Sequence, residues 1–457
     1  MTNPQRPGGE WVTQASAALL TDLYELTMAA SYLRRGITGP ATFDLFVRHL
    51  PDNRNFLIAC GLDTALEYLE SMTFDSDSLG YLESLGLFGD DFLDYLAGFR
   101  FTGDVWGIPE GEAVFSCEPM VRVTGPLIEA QIVETFLLNC IGFQTSIASK
   151  AARVAIACGD RRFVDFSLRR DHGADAGLKA ARASYIGGAV ATSNVLAGRI
   201  YGIPVNGTMA HSYVMAFEDE LQAFRAFAED FPNDATLLID TFDVEEGARR
   251  AVKVAQELDG GGVRLRGVRI DSGDLSELSR SVRRILDDAG LHDVSVVASG
   301  DLDEYRIRDL LAEAAPIDAF GVGTQLGTSG DAPALGGVYK LVAQDSAPKI
   351  KLSAGKATLP GRKQVYRFAG GECYESDLIA LEDEDVAGGT PLLINVMKNG
   401  RRTSSREPLT TARERCARTL DALPTHLKSL EPAPQHYPVR ISEELQALVR
   451  RMHEEAH

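Results

Sequence analysis

The sequence predicts an α/β protein: a (β/α) barrel of parallel strands, with a second α/β domain beside it assembled from both flanks of the chain. Three observations lead there. From Arg161 to Thr324, short hydrophobic runs alternate with helical stretches roughly every 30 residues, as βα units do. Each of those runs stops in carboxylates, hydroxyls, glycines or a histidine. The segments before and after do not share this rhythm.

The N-terminal flank opens on an amphipathic helix, "ALLTDLYELTMAASYLRRG", and ends in antiparallel strands within "GDVWGIPEGEAVFSCEPMVRVTG". The alternation then begins. "RRFVDFSLRR" is a short strand ending in polar residues, and "ADAGLKAARASYIGG" after it is helical. "IPVNGTMAHS" reads as a brief strand and turn before the helix "EDELQAFRAFAEDF". "TLLIDT" is a buried strand, followed by the amphipathic helix "VEEGARRAVKVAQEL". "VRLRGVRIDSGD" precedes "LSELSRSVRRILDDAG", where Gly290 suits a helix C-cap. "VSVVASGD" precedes "EYRIRDLLAEAA", and "IDAFGVGT" closes the series. Beyond Leu341, "PKIKLSAGKATLPGRKQVYRFAGGECYES" reads as strands and turns, and the last 50 residues as a Pro-interrupted helical tail. The expected division is 1–130 and 341–457 for the flanking domain and its tail, and 131–340 for the barrel.

The strand ends decide between architectures. They fall at Phe166 to Arg170, Thr208 to Ser212, Asp240 and Thr241, Asp271 to Asp274, Ser299 to Asp301, and Gly321 to Thr324. In a barrel, side chains from many strand ends converge on one mouth. A doubly wound open sheet gathers its ligand groups at one switch point. Six successive polar strand ends favour the barrel.

Composition narrows the function. The 457 residues exceed what one core usually serves, and 45% hydrophobic with 24% charged residues is an ordinary globular mixture. A net charge of -19 repels phosphate backbones, so nucleic acid is not an expected partner. No apolar run approaches the ~18 residues of a membrane helix. The polar start "MTNPQRPGGE" has no apolar signal core behind it. Six scattered cysteines with no CxxC pair argue against a disulfide framework or zinc ribbon, and a cytoplasmic setting is expected.

Several strand ends could carry chemistry. "ASGD" and "GVGT" close the last two units, where glycines let backbone N–H groups approach an anion; a phosphate site in the last two loops recurs in barrels. Tight turns needing positive φ are the bland alternative. In "VRIDSGD", Arg269 and Asp271 share one strand face. They are either a buried ion pair, or an Arg that holds a carboxylate or phosphate with an Asp on a ribose hydroxyl or metal-bound water. In "DFSLRRDHG", Phe166 and an Arg could grip a planar anionic ring, while His172 reads as surface. His211, one of eight histidines, follows a small turn in "NGTMAHSY". No second His or Cys lies nearby for a metal site, and no G-x-S-x-G elbow accompanies it. A satisfied turn histidine, an acid/base group and a nucleophilic imidazole all remain open.

Taken together, "TDLYELTMA", "DFSLRRDHG", "GTMAHS", "VRIDSGD", "ASGDLDE", "FGVGT" and "KLSAGKATLPGRKQVYR" occur in the order found in nicotinate phosphoribosyltransferases, and the chain resembles that family from about Leu19 to Arg367. The resemblance implies an irregular α/β barrel of the type II phosphoribosyltransferase kind and a homodimer with shared active sites. It implies joining of nicotinate to 5-phosphoribosyl 1-pyrophosphate (PRPP) in NAD salvage, giving nicotinate mononucleotide and pyrophosphate. ATP is implied as co-substrate, its hydrolysis coupled through a phosphohistidine at His211, and Mg²⁺ as accompanying the pyrophosphate and ATP. Tyr24 matches a tyrosine that reaches the neighbouring subunit's base pocket. Phe166 and Arg169 match the residues that stack on the pyridine ring and bind near its carboxylate. Arg269, Asp271, Gly300, Asp301, Gly323 and Thr324 match substrate and phosphate groups at the barrel mouth, with Thr208 beside them in the turn before His211. Lys150, Lys340 and Arg48 match pyrophosphate or phosphate contacts more weakly.

Asn194 bears on substrate choice. Related nicotinamide enzymes carry an Asp at about this position, and a neutral Asn would not repel a carboxylate. A helix cap is the competing role. Competing functions are a nicotinamide or quinolinate phosphoribosyltransferase and a catalytically silent PRPP-binding homologue. Quinolinate would demand further cations for its second carboxylate, and the His211, Arg269 and Asp271 set argues against silence.

Overall fold

The computed structural model describes residues 12–258, 264–353 and 358–455. The start "MTNPQRPGGE" and part of "KLSAGKATLPGRKQVYR" lie outside them. Among the described residues, six parallel strands form one curled sheet in the order Ala191–Thr192, Arg162–Asp165, Ala319–Val322, Ser295–Ala298, Gly267–Ile270, Thr236–Leu238. Val205 extends the curl by a parallel bridge to Thr192. The barrel is thus irregular, a half-barrel whose two edge strands do not pair with each other among the described residues.

The helices alternate with these strands much as the periodicity predicts: Ala174–Ile186, Glu220–Asp230, Val244–Leu258, Leu275–Asp288 and Glu304–Ala312. Residues of the sheet facing them are buried, among them Phe163, Leu237, Val268, Val296 and Phe320, and pack on Ala251, Val282, Leu286 and Ile307. The inner face differs. Val164, Thr236, Ser295, Val297 and Ala319 remain partly exposed and, with Gly267 and Gly321, line a cavity of about 520 Å³. A barrel is ordinarily filled by layers of branched side chains. Here small inner residues leave the bore open up to Phe166 and Thr208.

The flanks build a seven-stranded antiparallel sheet that interleaves the two ends of the chain. Pro40–Val47, Val121–Pro126 and Asp104–Gly107 form its centre, bordered by Gly337–Gln344 on one side and Ile394–Lys398 on the other. The N-terminal helix is Leu23–Arg35, stopped by Gly36 at φ 67°.

Two elements depart from the sequence reading. Residues 134–158 form one 25-residue helix, Glu134–Cys158, which the periodicity of the sequence does not predict. It is buried on most sides, so it lacks the polar stripe that a helical pattern needs. The tail is not purely helical: Val439–Ile441 adds a parallel strand beside Cys373–Leu381. No helix among the described residues is long and apolar enough to cross a membrane.

Candidate active site

The strand Gly267–Ile270 places Arg269 on its inner face and delivers Asp271 to its end. Arg269 donates through Nη1 to Thr208 Oγ1. Its Nε is buried without a hydrogen-bond partner among the described residues. Burial draws the guanidinium below its usual range, while Asp271 and Asp240 pull it back up. Ser299 Oγ donates to Asp271 Oδ1. The Asp271 N–H and Ser272 Oγ donate to Asp240 Oδ2 at 2.9 and 2.6 Å, leaving Asp240 Oδ1 buried and unpartnered among the described residues. Three neighbouring strand ends are thereby tied together through carboxylates and hydroxyls.

His211 stands at this junction. It opens the short helix His211–Met215 instead of lying within a turn. Its Nδ1 is 3.2 Å from Thr241 Oγ1 and its Nε2 is 3.9 Å from Asp271 Oδ2. The side chain keeps 41% of its surface exposed, so a ligand can reach the ring. Gly300 closes the turn above Asp271 at φ 92°, where a Cβ would collide with the Asp271 carbonyl; Asp301 follows at φ 45°.

The base loop sits opposite. Phe166 donates its N–H to Val322 O at 2.8 Å. Its ring lies over Gly321, where a Cβ would come within 2.5 Å of the ring edge. Arg169 is exposed in the single 3₁₀ turn Leu168–Arg170, close enough to Arg269 for the two charges to interact. Gly323 and Thr324 start the next short helix, beside the Phe166 carbonyl. The structure therefore gathers Phe166, Arg169, Thr208, His211, Arg269, Asp271, Gly300, Asp301, Gly323 and Thr324 at the strand ends of one sheet. Asp240, Thr241, Ser272 and Ser299 join them. Their sequence signal is their place directly after the runs "TLLI", "GVRI" and "SVVA".

Other candidates are engaged within the protein. Asn194 caps the helix Val195–Tyr201, accepting from Ala197 N at 3.1 Å while its Nδ2 donates to Gly177 O at 3.2 Å, so both ends of the amide are engaged inside the protein. Asp274 likewise caps Leu275–Asp288. Lys340 Nζ donates to its neighbour's carbonyl, Tyr339 O, at 2.9 Å. Lys150 is buried in the long helix, its Nζ 2.6 Å from Glu304 and 2.8 Å from Asp331. Arg153 and Arg54 complete this cluster, and against the upward push of burial Arg54 and Lys150 hold Asp331 well below the usual carboxylate range. A buried lysine committed to two carboxylates is a structural ion pair. Lys150→Met is expected to lower the unfolding free energy by about 3 kcal/mol, because it leaves carboxylates short of a cation. A urea midpoint measurement checks this, with KM for PRPP expected unchanged.

Tyr24 is half-exposed on the Leu23–Arg35 helix, near enough to Glu134 for the carboxylate to act on its phenol. Burial first, then Glu134, Glu25 and Asp22, push its phenol well up. Next to it, Glu25 is fully buried and accepts from Thr135 N at 2.9 Å and Thr135 Oγ1 at 2.6 Å. Burial pushes its carboxyl up to about 7 against the pull of the Thr135 and Thr21 hydrogen bonds. Its folded-state value lies above the unfolded one, so folding takes up a proton in the window between them. Stability then falls as pH rises from 4.5 towards 7. Glu25→Gln is expected to remove about 2 kcal/mol of this decline, read from urea midpoints at about pH 5 and about pH 8.

A parallel half-barrel whose mouth combines a buried guanidinium, paired carboxylates, glycine turns and an aromatic shelf defines an α/β-barrel enzyme for anionic, phosphate-bearing substrates. Three family models match: nicotinate phosphoribosyltransferase N-terminal domain at 19–142, the nicotinate phosphoribosyltransferase family at 161–342, and its C-terminal domain at 389–449. A nicotinate phosphoribosyltransferase of Mycobacterium tuberculosis, pncB2, is 49% identical over 435 residues, covering 95% of this chain and 93% of its own length. One from Bacillus subtilis is 47% identical, covering 81% and 77%. The crystal structure of human nicotinic acid phosphoribosyltransferase superposes with a TM-score of 0.86 at 30% identity, over 94% of this chain and 99% of that one. The chain belongs to the nicotinate phosphoribosyltransferase family.

Proposed function

We propose that this enzyme joins nicotinate to PRPP in NAD salvage, and that it works in the cytoplasm as a homodimer. The pyridine nitrogen attacks C1 of the ribose, the N–C1 bond forms, and the C1–O bond to pyrophosphate breaks. The transition state has oxocarbenium character, so holding the anions and aligning the ring matter more than covalent catalysis. Phe166 supplies the face for the ring and Arg169 the charge for its carboxylate. One observation carries the reading: Arg269 Nε and Asp240 Oδ1, a donor and an acceptor at the same strand ends, are buried and unpartnered among the described residues. A phosphorylated sugar offers acceptors to the first and hydroxyls to the second.

ATP hydrolysis is coupled through His211. Thr241 engages Nδ1, which leaves Nε2 as the nitrogen that accepts the γ-phosphoryl group as ADP departs. Water later cleaves the N–P bond and releases phosphate. The oxygen donors present, Asp240, Asp271 and Ser272, suit Mg²⁺, which keeps few protein ligands and neutralises phosphate charge when bound. Exposed apolar side chains support the dimer: Leu20, Leu23 and Tyr24 on the flank, and Val195, Leu196, Ile200 and Val205 beside the half-barrel's edge.

Incubation with PRPP, ATP and either nicotinate or nicotinamide tests this. The acid is expected to give mononucleotide with stoichiometric phosphate release. Preference for the amide would overturn the substrate assignment, and product without ATP turnover the coupling.

A further inference from the structure

The base loop is held by a device that the proposed chemistry does not use. Asp165, buried at the strand end, accepts from Ser167 N at 3.0 Å and Ser167 Oγ at 2.6 Å through Oδ1, and from Thr192 Oγ1 at 2.8 Å through Oδ2. Ser167 is itself fully buried, between Phe166 and the 3₁₀ turn that carries Arg169. On the far side of that turn Asp171 returns, its Oδ2 3.2 Å from the same Ser167 hydroxyl. One hydroxyl proton thus faces two carboxyl groups, and the shorter contact gives it to Asp165. Asp171 Oδ1 is buried without a partner among the described residues. Burial, then the Asp165 charge, pushes the Asp171 carboxyl up to about 6, against the Ser167 bond and His172.

The surroundings are shaped around this carboxyl group. A Cβ on Gly327 would collide with Asp171 Oδ1 and with the Ser167 side chain, and a Cβ on Gly177 would lie 3.0 Å from Asp171 Oδ2. Two helices, Ala174–Ile186 and Thr324–Gly327, therefore meet Asp171 through glycines, and the second begins at the Gly323–Thr324 turn. The loop Phe166–Asp171 has no ladder of its own beyond one 3₁₀ turn. Its position depends on where its two ends are pinned.

We propose that Asp171 is a positioning residue for the nicotinate site, wedged through Ser167 and against Gly177 and Gly327 so that Phe166 and Arg169 are presented at a set distance from the Gly323–Thr324 turn. It touches no substrate. The inference rests on the reading of Phe166 and Arg169 as the base site, and the test separates the two.

Steady-state kinetics on the full-length enzyme with nicotinate, PRPP and ATP provide it, with thermal unfolding recorded for each variant. Asp171→Ala is expected to raise KM for nicotinate about tenfold, leaving kcat and KM for PRPP within about twofold. Asp171→Asn, which keeps the shape and can donate to Ser167, is expected to stay near the parent enzyme. Gly327→Ala, which pushes on the carboxyl group from the helix side, is expected to reproduce the Asp171→Ala effect. In an Arg169→Ala background, Asp171→Ala is expected to raise KM by less than it does alone, since only Phe166 is left for it to position. A rise in nicotinate KM with Arg169→Ala but not with Asp171→Ala overturns the positioning role alone. So would multiplicative effects in the double variant, or an Asp171→Asn as damaging as the alanine. An Arg169→Ala enzyme with unchanged nicotinate KM would instead sink the base-site reading.

Discussion

Replacing His211 with alanine is expected to abolish labelling of the protein by γ-labelled ATP and to erase ATP stimulation of mononucleotide formation. The ring is exposed, Nδ1 is engaged by Thr241, and Nε2 looks toward Asp271 without a hydrogen bond. The kcat/KM in the presence of ATP should fall by about 10²- to 10³-fold, as for other enzymes that lose an activating group. His211→Asn is expected to behave like the alanine, because an amide retains shape but accepts no phosphoryl group. Label kept on either variant would rule out His211 as the acceptor.

Arg269→Gln is expected to lower kcat/KM by about 10²- to 10³-fold, the usual cost of removing a donor aimed at developing negative charge. The guanidinium already gives Nη1 to Thr208 and keeps a buried Nε in reserve, so its geometry is set before substrate arrives. Lysine is not expected to rescue it, since an ammonium cannot present two donors in that fixed fork. Initial rates at varied PRPP check this. A variant that loses only nicotinate affinity would reassign Arg269 from the phosphorylated sugar to the base.

The barrel was readable because its signals are local. Hydrophobic runs such as "TLLIDT" and "VSVVASGD" end in the very groups that later converge, and strand ends in a barrel share one mouth. Arg269, Asp271 and His211 are therefore legible as neighbours of strand ends one strand at a time. Asn194 and Lys150 show the opposite case. For Asn194 the sequence leaves a helix cap and a substrate contact open and the cap is what the packed helix shows, while a lysine within "SIASKAAR" carries no local mark of its interior carboxylate partners. The helix Glu134–Cys158 is silent in the sequence for a related reason, as burial on most sides removes the amphipathic period.

The order of the βα units, the polar chemistry of their ends and the histidine turn all follow from residues adjacent in the chain, where spacing alone reports which side chains share a face. The hollow bore, the pairing of Lys150 with Glu304 and Asp331, and the closing of Gly327 onto Asp171 come from segments far apart in sequence. Those contacts exist only once helices and strands have packed, because burial, not residue type, determines which polar group is left without water and must find a partner.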